Sequence, residues 1–373
     1  MFDAEGLIIL EDFFKDKFNY NYRTYEDLLK QDFIRFESNG ATAKFWIKYE
    51  GEEYLYKEDD LNHVLGELLG QKIAEALGIP CAQYRACTFS KDKAQNSLGG
   101  GVLTKKVYYG NETLVLGAQI IQEAFNNYYN GKKIKELLQD PDFRLLYSIP
   151  DNLLKLREDI LLKNVYNYFN NLEQLWGFFE MHFEDSQTSY LMINYLIEVF
   201  LYDIFTMSAD RHLENWGAIK SYPSGLYRPC PLFDNSDIFG IYDDTSDRIA
   251  RVNRNMPLLN NANSISQFNN LFYERKMLLC STESDVTNVK AKKRKTSIEM
   301  LYNFLKVSDS KYVEIFFMFK EILERMDIRF CLAQIEKENG IKFPTNLKDY
   351  ICFSFNRNLE CINEMLQKRG IER

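Results

Sequence analysis

Near residue 110 the hydrophobic pattern of this 373-residue chain changes period, and that change restricts the fold more than any other feature. Upstream, the runs Ala43 to Tyr49 and Glu53 to Lys57 alternate apolar with polar residues, and Glu50-Gly51-Glu52 supplies a turn between them, so a β-hairpin is expected. Val64, Leu65, Leu68, Leu69, Ile73 and Leu77 then recur at helical spacing, and Gly78 stands where a C-cap residue belongs. Two further β-like runs, Ala82 to Phe89 and Gly101 to Tyr109, flank the polar loop Ser90 to Ser97. Downstream, long helical periods take over: Ala118 to Tyr129, Arg157 to Phe179, Tyr190 to Met207, Ser297 to Leu305, Tyr312 to Met326 and Leu347 to Leu366. The expected class is α+β and bilobal. Residues 1–110 form a small antiparallel sheet with one helix, and residues 111–373 form a mainly helical lobe. Domains of roughly 150 residues make two the natural number for this length.

Hydrophobic residues make up 46% of the chain and charged residues 27%, so it can bury a sizeable core and is neither disordered nor a coiled coil. Gly and Pro are sparse, at 18 and 8, which favours long elements over turn-rich β architecture. A formal net charge of −8 offers no global attraction to nucleic acid or to an anionic membrane. No nucleic-acid partner is expected, and any anionic ligand must be held locally. The seven cysteines include no C-x-x-C pair and read neither as a disulfide framework nor as a zinc site, which fits a reducing cytosol. No basic segment precedes the apolar stretch Leu7 to Leu10, so no signal peptide is expected. Asn194, Glu198 and Asp203 interrupt the longest apolar segment, which reads as a buried core helix rather than a membrane span. A cytoplasmic location is expected, with a secreted effector left open.

The chemistry concentrates in two stretches, Ser208-Ala209-Asp210-Arg211-His212-Leu213-Glu214-Asn215-Trp216-Gly217 and Pro231-Leu232-Phe233-Asp234-Asn235-Ser236. Asp210, Asn215 and Asp234 fall in expected loops at the ends of β-like runs. Transfer of a γ-phosphoryl group needs this set, because a carboxylate must orient the attacking hydroxyl while an amide oxygen and a second carboxylate hold Mg²⁺ against the phosphates. Either loop alone is compatible with an exposed turn and an ion pair. Their joint occurrence, each led in by hydrophobic residues, favours function.

The string Asp-Arg-His-x-x-Asn-Trp with a downstream Phe-Asp-Asn resembles the catalytic and metal loops of HipA-like serine/threonine kinases, in particular their compact bacterial branch. The resemblance implies a protein-kinase-like bilobal fold, ATP and Mg²⁺ as cofactors, and phosphorylation of Ser or Thr hydroxyls on a protein. It makes Asp210 the candidate base, and Asn215 and Asp234 the metal ligands. Upstream, Ser38 to Lys44 is similar to the family's phosphate loop, where the backbone of Gly40, Ala41 and Thr42 and the side chain of Lys44 approach the nucleotide. Lys57 matches the lysine on the α/β-phosphates and Glu67 the acid that orients it, with Lys48 and Glu75 also available. Leu103 to Val107 falls at the implied hinge, with backbone groups of Thr104 and Lys106 facing adenine. His212 is expected to be structural, Arg211 to ion-pair nearby, and Asp203 to accept backbone N–H groups of the loop. Autophosphorylation is implied at Ser38 or Thr42, whose added charge would expel the phosphate loop.

The sequence departs from the family in two respects. Asn235-Ser236 follows Asp234 where eukaryotic kinases have Phe-Gly, so their metal-loop switch is not carried over. Little chain precedes Ser38, so the further subdomain with which HipA contacts its antitoxin, and hence a HipB-like partner, is not expected. Type II phosphatidylinositol 4-kinases carry similar loops but also a cysteine-rich palmitoylated segment that has no counterpart here. An inactive nucleotide-binding interaction module is a further alternative, with the Asn-rich stretch 253–270 and the basic run Lys290 to Lys295 as its contact surface. The combination of Lys57, Asp210, Asn215 and Asp234 disfavours it.

Overall fold

The computed structural model describes residues 8–9, 35–36, 44–49, 51–88, 100–128, 134–146, 179, 182–183, 185–208, 210–211, 213–241, 243, 245–257 and 297–371. The phosphate-loop candidates Gly40, Ala41 and Thr42, the whole Asn263 to Lys295 region and nearly all of the helix expected at 157–179 lie outside them. The chain divides into two compact units of an α+β fold, but not by a single cut at residue 110. The first unit gathers Met1–Tyr109, Pro231–Leu258 and Met318–Glu360, and the second Gly110–Cys230, Leu259–Phe317 and Cys361–Arg373. Local periodicity cannot foresee this, because it is blind to which distant segments cover an exposed face.

The first unit is built on a six-stranded sheet of β1 (Ile8–Ile9), β2 (Arg35–Phe36), β3 (Lys44–Tyr49), β4 (Glu52–Asp59), β5 (Tyr84–Thr88) and β6 (Gly100–Lys105), in the order β1-β5-β6-β4-β3-β2. The described pairings are antiparallel except for β1 with β5. The expected hairpin is β3–β4, in a register running from Lys44 opposite Lys57 to Tyr49 opposite Glu52. Gly51 closes it at φ 86°, a left-handed conformation that a side chain disfavours.

Helix α1 (Leu61–Leu77) follows β4 because Asp60 caps it, its side chain accepting from the N–H groups of Asn62 and His63. Gly78 ends it in the left-handed region at φ 74°. Val64, Leu65, Leu69 and Ile73 are fully buried, as the spacing predicts. Later chain completes this unit with α6 (Thr245–Arg254, numbered after the elements below), α9 (Ile328–Asn339) and the start of α10 (Thr345–Arg369). Among the described residues β5 pairs with β1 at Cys87 and Thr88. Side chains satisfy the strand earlier: Tyr84 N–H donates to Gln71 Oε1 at 2.8 Å, and Ala86 N–H to Asn339 Oδ1 at 2.9 Å.

The second unit holds a three-stranded sheet of β7 (Glu112–Leu116), β8 (Gly217–Ser221) and β9 (Tyr227–Pro229), together with α2 (Gly117–Tyr128), α3 (Ile134–Leu137), α4 (Pro141–Leu146), α5 (Ser186–Thr206) and α7 (Ser297–Val307). Helix α8 (Ser310–Glu324) contributes its first half. The β7–β8 pairing joins Glu112 to Ser221, a separation that no sequence pattern announces. Helix α5 is apolar around most of its circumference because it is the core: Met192, Leu196, Phe200 and Leu201 are inaccessible. Phe200 packs on Phe304 and Phe205 stacks on Phe316, with centroids 5.4 and 5.6 Å apart. No helix among the described residues is long and apolar enough to cross a membrane.

Candidate active site

In the first unit the segment bearing Asp234 is held against the sheet by paired backbone. Ala82 N–H donates to the Leu232 carbonyl at 2.8 Å and Leu232 N–H to the Pro80 carbonyl at 2.7 Å. Asp234 itself sits at φ 55°, a left-handed conformation that aspartate tolerates better than most residues. Its N–H donates to the Tyr84 hydroxyl at 3.0 Å, and the next N–H, of Asn235, donates to Glu67 Oε2 at 2.7 Å. The Tyr84 side chain in turn hydrogen-bonds Glu67. The carboxylate of Asp234 accepts from Lys57 Nζ at 3.2 Å across 177 residues of sequence.

Helix α1 can lie this close to the loop because residue 66 is glycine. A Cβ there would stand 2.0 Å from the Ser236 carbonyl oxygen. The adjacent Glu67 is 2% exposed, and burial, then the charge of Asp234, pushes its carboxyl from the ordinary 4.5 up to about 7 against the opposing pull of Lys57. For Lys57, burial acts to lower the ammonium pKa, but the carboxylates of Asp234, Glu67 and Asp59 outweigh it and hold the group charged.

Lys44 lies directly opposite Lys57 in the β3–β4 register, so the two side chains leave the sheet on one face. Like charges facing each other across a ladder are unfavourable unless an anion neutralises them. The direct Lys57–Glu67 ion pair expected from the sequence is not what forms. Lys57 pairs with Asp234 and, at 3.3 Å, with Asp59, while Glu67 is engaged by Asn235 and Tyr84. The alternatives are placed less well: Lys48 is exposed on β3, and Glu75 accepts from Gln71 on the exposed side of α1.

The hinge register also needs correction. Thr104 is paired on both sides, opposite Leu55 and Tyr84, and Lys106 N–H donates to the Glu53 carbonyl at 2.9 Å. The ladder therefore continues through the stretch expected to face adenine. Lys106 is directed elsewhere as well, its ammonium meeting Glu53 and lying 4.7 Å from the Tyr108 ring centroid.

In the second unit, α5 ends at Met207 in the left-handed region, φ 55°, and the chain turns into the loop that carries Asp210 and Asn215. Arg211 is the loop's internal scaffold. Its guanidinium is wholly buried, pairs with Asp203 Oδ1 at 3.2 Å, and donates to the Asn215 carbonyl at 3.0 Å. Burial, opposed by Arg211, pushes the Asp203 carboxyl up to about 6. Asp203 was expected to accept backbone N–H groups of the loop; its carboxylate instead meets the side chains of Arg211 and Ser208, while its backbone carbonyl accepts from the Ser208 N–H at 3.0 Å.

Asn215 is 3% exposed and donates through Nδ2 to the Asp210 carbonyl at 2.7 Å, which turns its amide oxygen away from that bond. The Asp210 side chain is exposed. The loop is fastened at its far end by Trp216, whose carbonyl accepts from Gly117 N–H at 2.8 Å and whose ring would meet a Cβ at residue 117 at 2.4 Å.

The two units thus define an α+β protein that carries a lysine–carboxylate cluster in one unit and an Asp/Asn loop in the other. No family model and no curated protein matches the chain. Among solved structures it is similar to a Helicobacter pylori proinflammatory kinase, CtkA, at 14% identity, covering 91% of this chain and 96% of that one with a TM-score of 0.48. It is also similar to a Shewanella oneidensis MR-1 toxin–antitoxin complex of HipA, HipB and operator DNA, at 14% identity, covering 98% of this chain and 74% of that one with a TM-score of 0.42. Likenesses this distant decide nothing about chemistry, which rests on the residues above.

Proposed function

We propose that the chain is an ATP- and Mg²⁺-dependent kinase that phosphorylates Ser or Thr hydroxyls of a protein. The observation that carries the reading is the Lys57–Asp234 ion pair, with Glu67 clamping the N–H of residue 235 beside it. A half-buried lysine and a carboxylate on a loop residue held in the left-handed region make a pair that the fold maintains at a cost, which is accounted for if both are used. In this reading Lys57 and Lys44, cross-strand partners on one face of the sheet, meet phosphate oxygens, which would offset the repulsion between them.

Asp234 and Asn215 are oxygen donors of the kind Mg²⁺ takes, and the bond from Asn215 Nδ2 to the Asp210 carbonyl selects oxygen as the donor. When bound, the metal neutralises charge on the transferred phosphoryl group. Asp210, exposed at the tip of the loop that Arg211 braces, orients the acceptor hydroxyl and takes its proton.

Incubation with labelled Mg·ATP and either generic protein or phosphoinositide vesicles tests the reading. Labelled protein supports it; label confined to lipid, or ATP binding without transfer, overturns it. Asp234→Ala is expected to abolish metal-dependent nucleotide binding, and Asp210→Ala to lower the rate by at least about two decades.

A further inference from the structure

Lys57 and Asp59 are two residues apart on β4, so the pleat sends both side chains to the same face. The Asp59 side chain is 5% exposed, with Oδ2 3.3 Å from Lys57 Nζ and Oδ1 2.6 Å from His63 Nδ1. His63 lies on the first turn of α1, and the neighbouring carboxylates Asp59 and Asp60 overcome its burial to raise its pKa above the ordinary imidazole value. Asp59, Asp60 and His63 lie close enough together to be ligands of a cation. Their atoms are committed otherwise, because Asp60 caps α1 and Asp59 faces the Lys57 ammonium.

On the reading that this chain is a kinase, we propose that Asp59 is the positioning residue for Lys57, while Glu67 positions the Asp234 loop instead. The work expected of one carboxylate is divided between two. Asp59 holds the ammonium from the strand side and is itself steadied by His63, while Glu67, already engaged by the Asn235 N–H and Tyr84, fixes the loop. The division has a physical basis. An acid that accepts a backbone N–H from the metal loop cannot also swing to Lys57 without releasing that donor into a buried site. Asp59 moves with the same strand as the lysine, so it keeps Lys57 aimed when Asp234 turns from it to other partners.

A double-mutant cycle on the full chain tests this, with Mg·ATP affinity as the readout and Lys57→Met and Asp234→Asn as controls. Asp59→Asn is expected to weaken Mg·ATP binding about tenfold, the loss of one charge-assisted contact. In the Lys57→Met background it should weaken binding no further, because Asp59 acts only through that lysine. A loss of equal size in both backgrounds, or none in either, overturns the proposal. Where Asp59→Asn does not yield folded protein, the same cycle with Asp59→Ser, which also removes the charge, applies the same criterion. If Lys57→Met and Asp234→Asn both leave Mg·ATP affinity unchanged, the kinase reading fails. If they lower it and Asp59→Asn does not, only the role of Asp59 fails.

Discussion

Replacing glycine by alanine inside a helix ordinarily stabilises a protein, since glycine in a helix interior costs about 0.8–1 kcal/mol relative to alanine. Gly66→Ala in α1 should do the opposite. The new methyl would lie 2.0 Å from the Ser236 carbonyl oxygen, 2.7 Å from its carbon and 2.9 Å from its Cα, all backbone atoms with no rotamer to yield. Helix and loop must part by roughly 1 Å, an overpacking cost of about 2 kcal/mol. The same displacement stretches the 2.7 Å bond from Asn235 N–H to Glu67, removing about 2 kcal/mol more. Set against the propensity gain, the net destabilisation is about 3 kcal/mol. Urea denaturation should show a lower midpoint at unchanged slope, and Mg·ATP affinity should fall in parallel because Asp234 loses its neighbour's anchor. A Gly66→Ala variant as stable as the parent, or more so, would refute the claim that α1 and the Asp234 loop are in direct backbone contact.

Glu67 makes stability pH-dependent. Its carboxyl is raised from 4.5 to about 7 by burial and Asp234, so the folded protein binds a proton that the unfolded chain releases. Stability is therefore lost as pH rises from about 4.5 through 7, by on the order of 3 kcal/mol. Glu67→Gln should flatten that slope in denaturation curves taken between about pH 5 and 8, from two units below the folded value to one above it, and a slope unaltered by the substitution contradicts the assignment. Arg211→Met removes the ion-pair partner of the buried Asp203 and should cost about 3–5 kcal/mol, most of it recovered in Arg211→Met/Asp203→Leu. An additive loss in the double variant would show that the pair is not the loop's scaffold. Asn339→Ala strips the acceptor from the Ala86 N–H and should destabilise by about 1–3 kcal/mol, with faster amide exchange at Ala86 as the local reporter.

Much of the first unit was legible without coordinates. Alternation and a turn glycine encode the β3–β4 hairpin, and the apolar stripe from Val64 to Leu77 with Gly78 behind it encodes α1, because each signal is local and each is set by backbone sterics. The two candidate loops stand out in the sequence only jointly, since either alone is compatible with an exposed turn. Partners were less legible than elements. The resemblance makes Glu67 the acid that orients Lys57, yet it grips the Asn235 N–H, and the carboxylates within 3.3 Å of the ammonium are those of Asp234 and Asp59. Arg211, read as an ordinary ion-pairing residue, turned out to be a wholly buried brace. Thr104 and Lys106 were taken for hinge residues, but the ladder runs on through them.

The change from a strand-rich first stretch to a helical one, and elements such as the β3–β4 hairpin, α1 and α5, were written in periodicities of two and 3.6. Which carboxylate meets which cation, and which late segments cover the sheet, depended on contacts across as many as 266 residues, as between Lys72 and Glu338, or 253 between Asn339 and Ala86. Such choices are made by packing and by the cost of leaving a buried charge or N–H unpaired, and that cost exists only once the chain has closed around it.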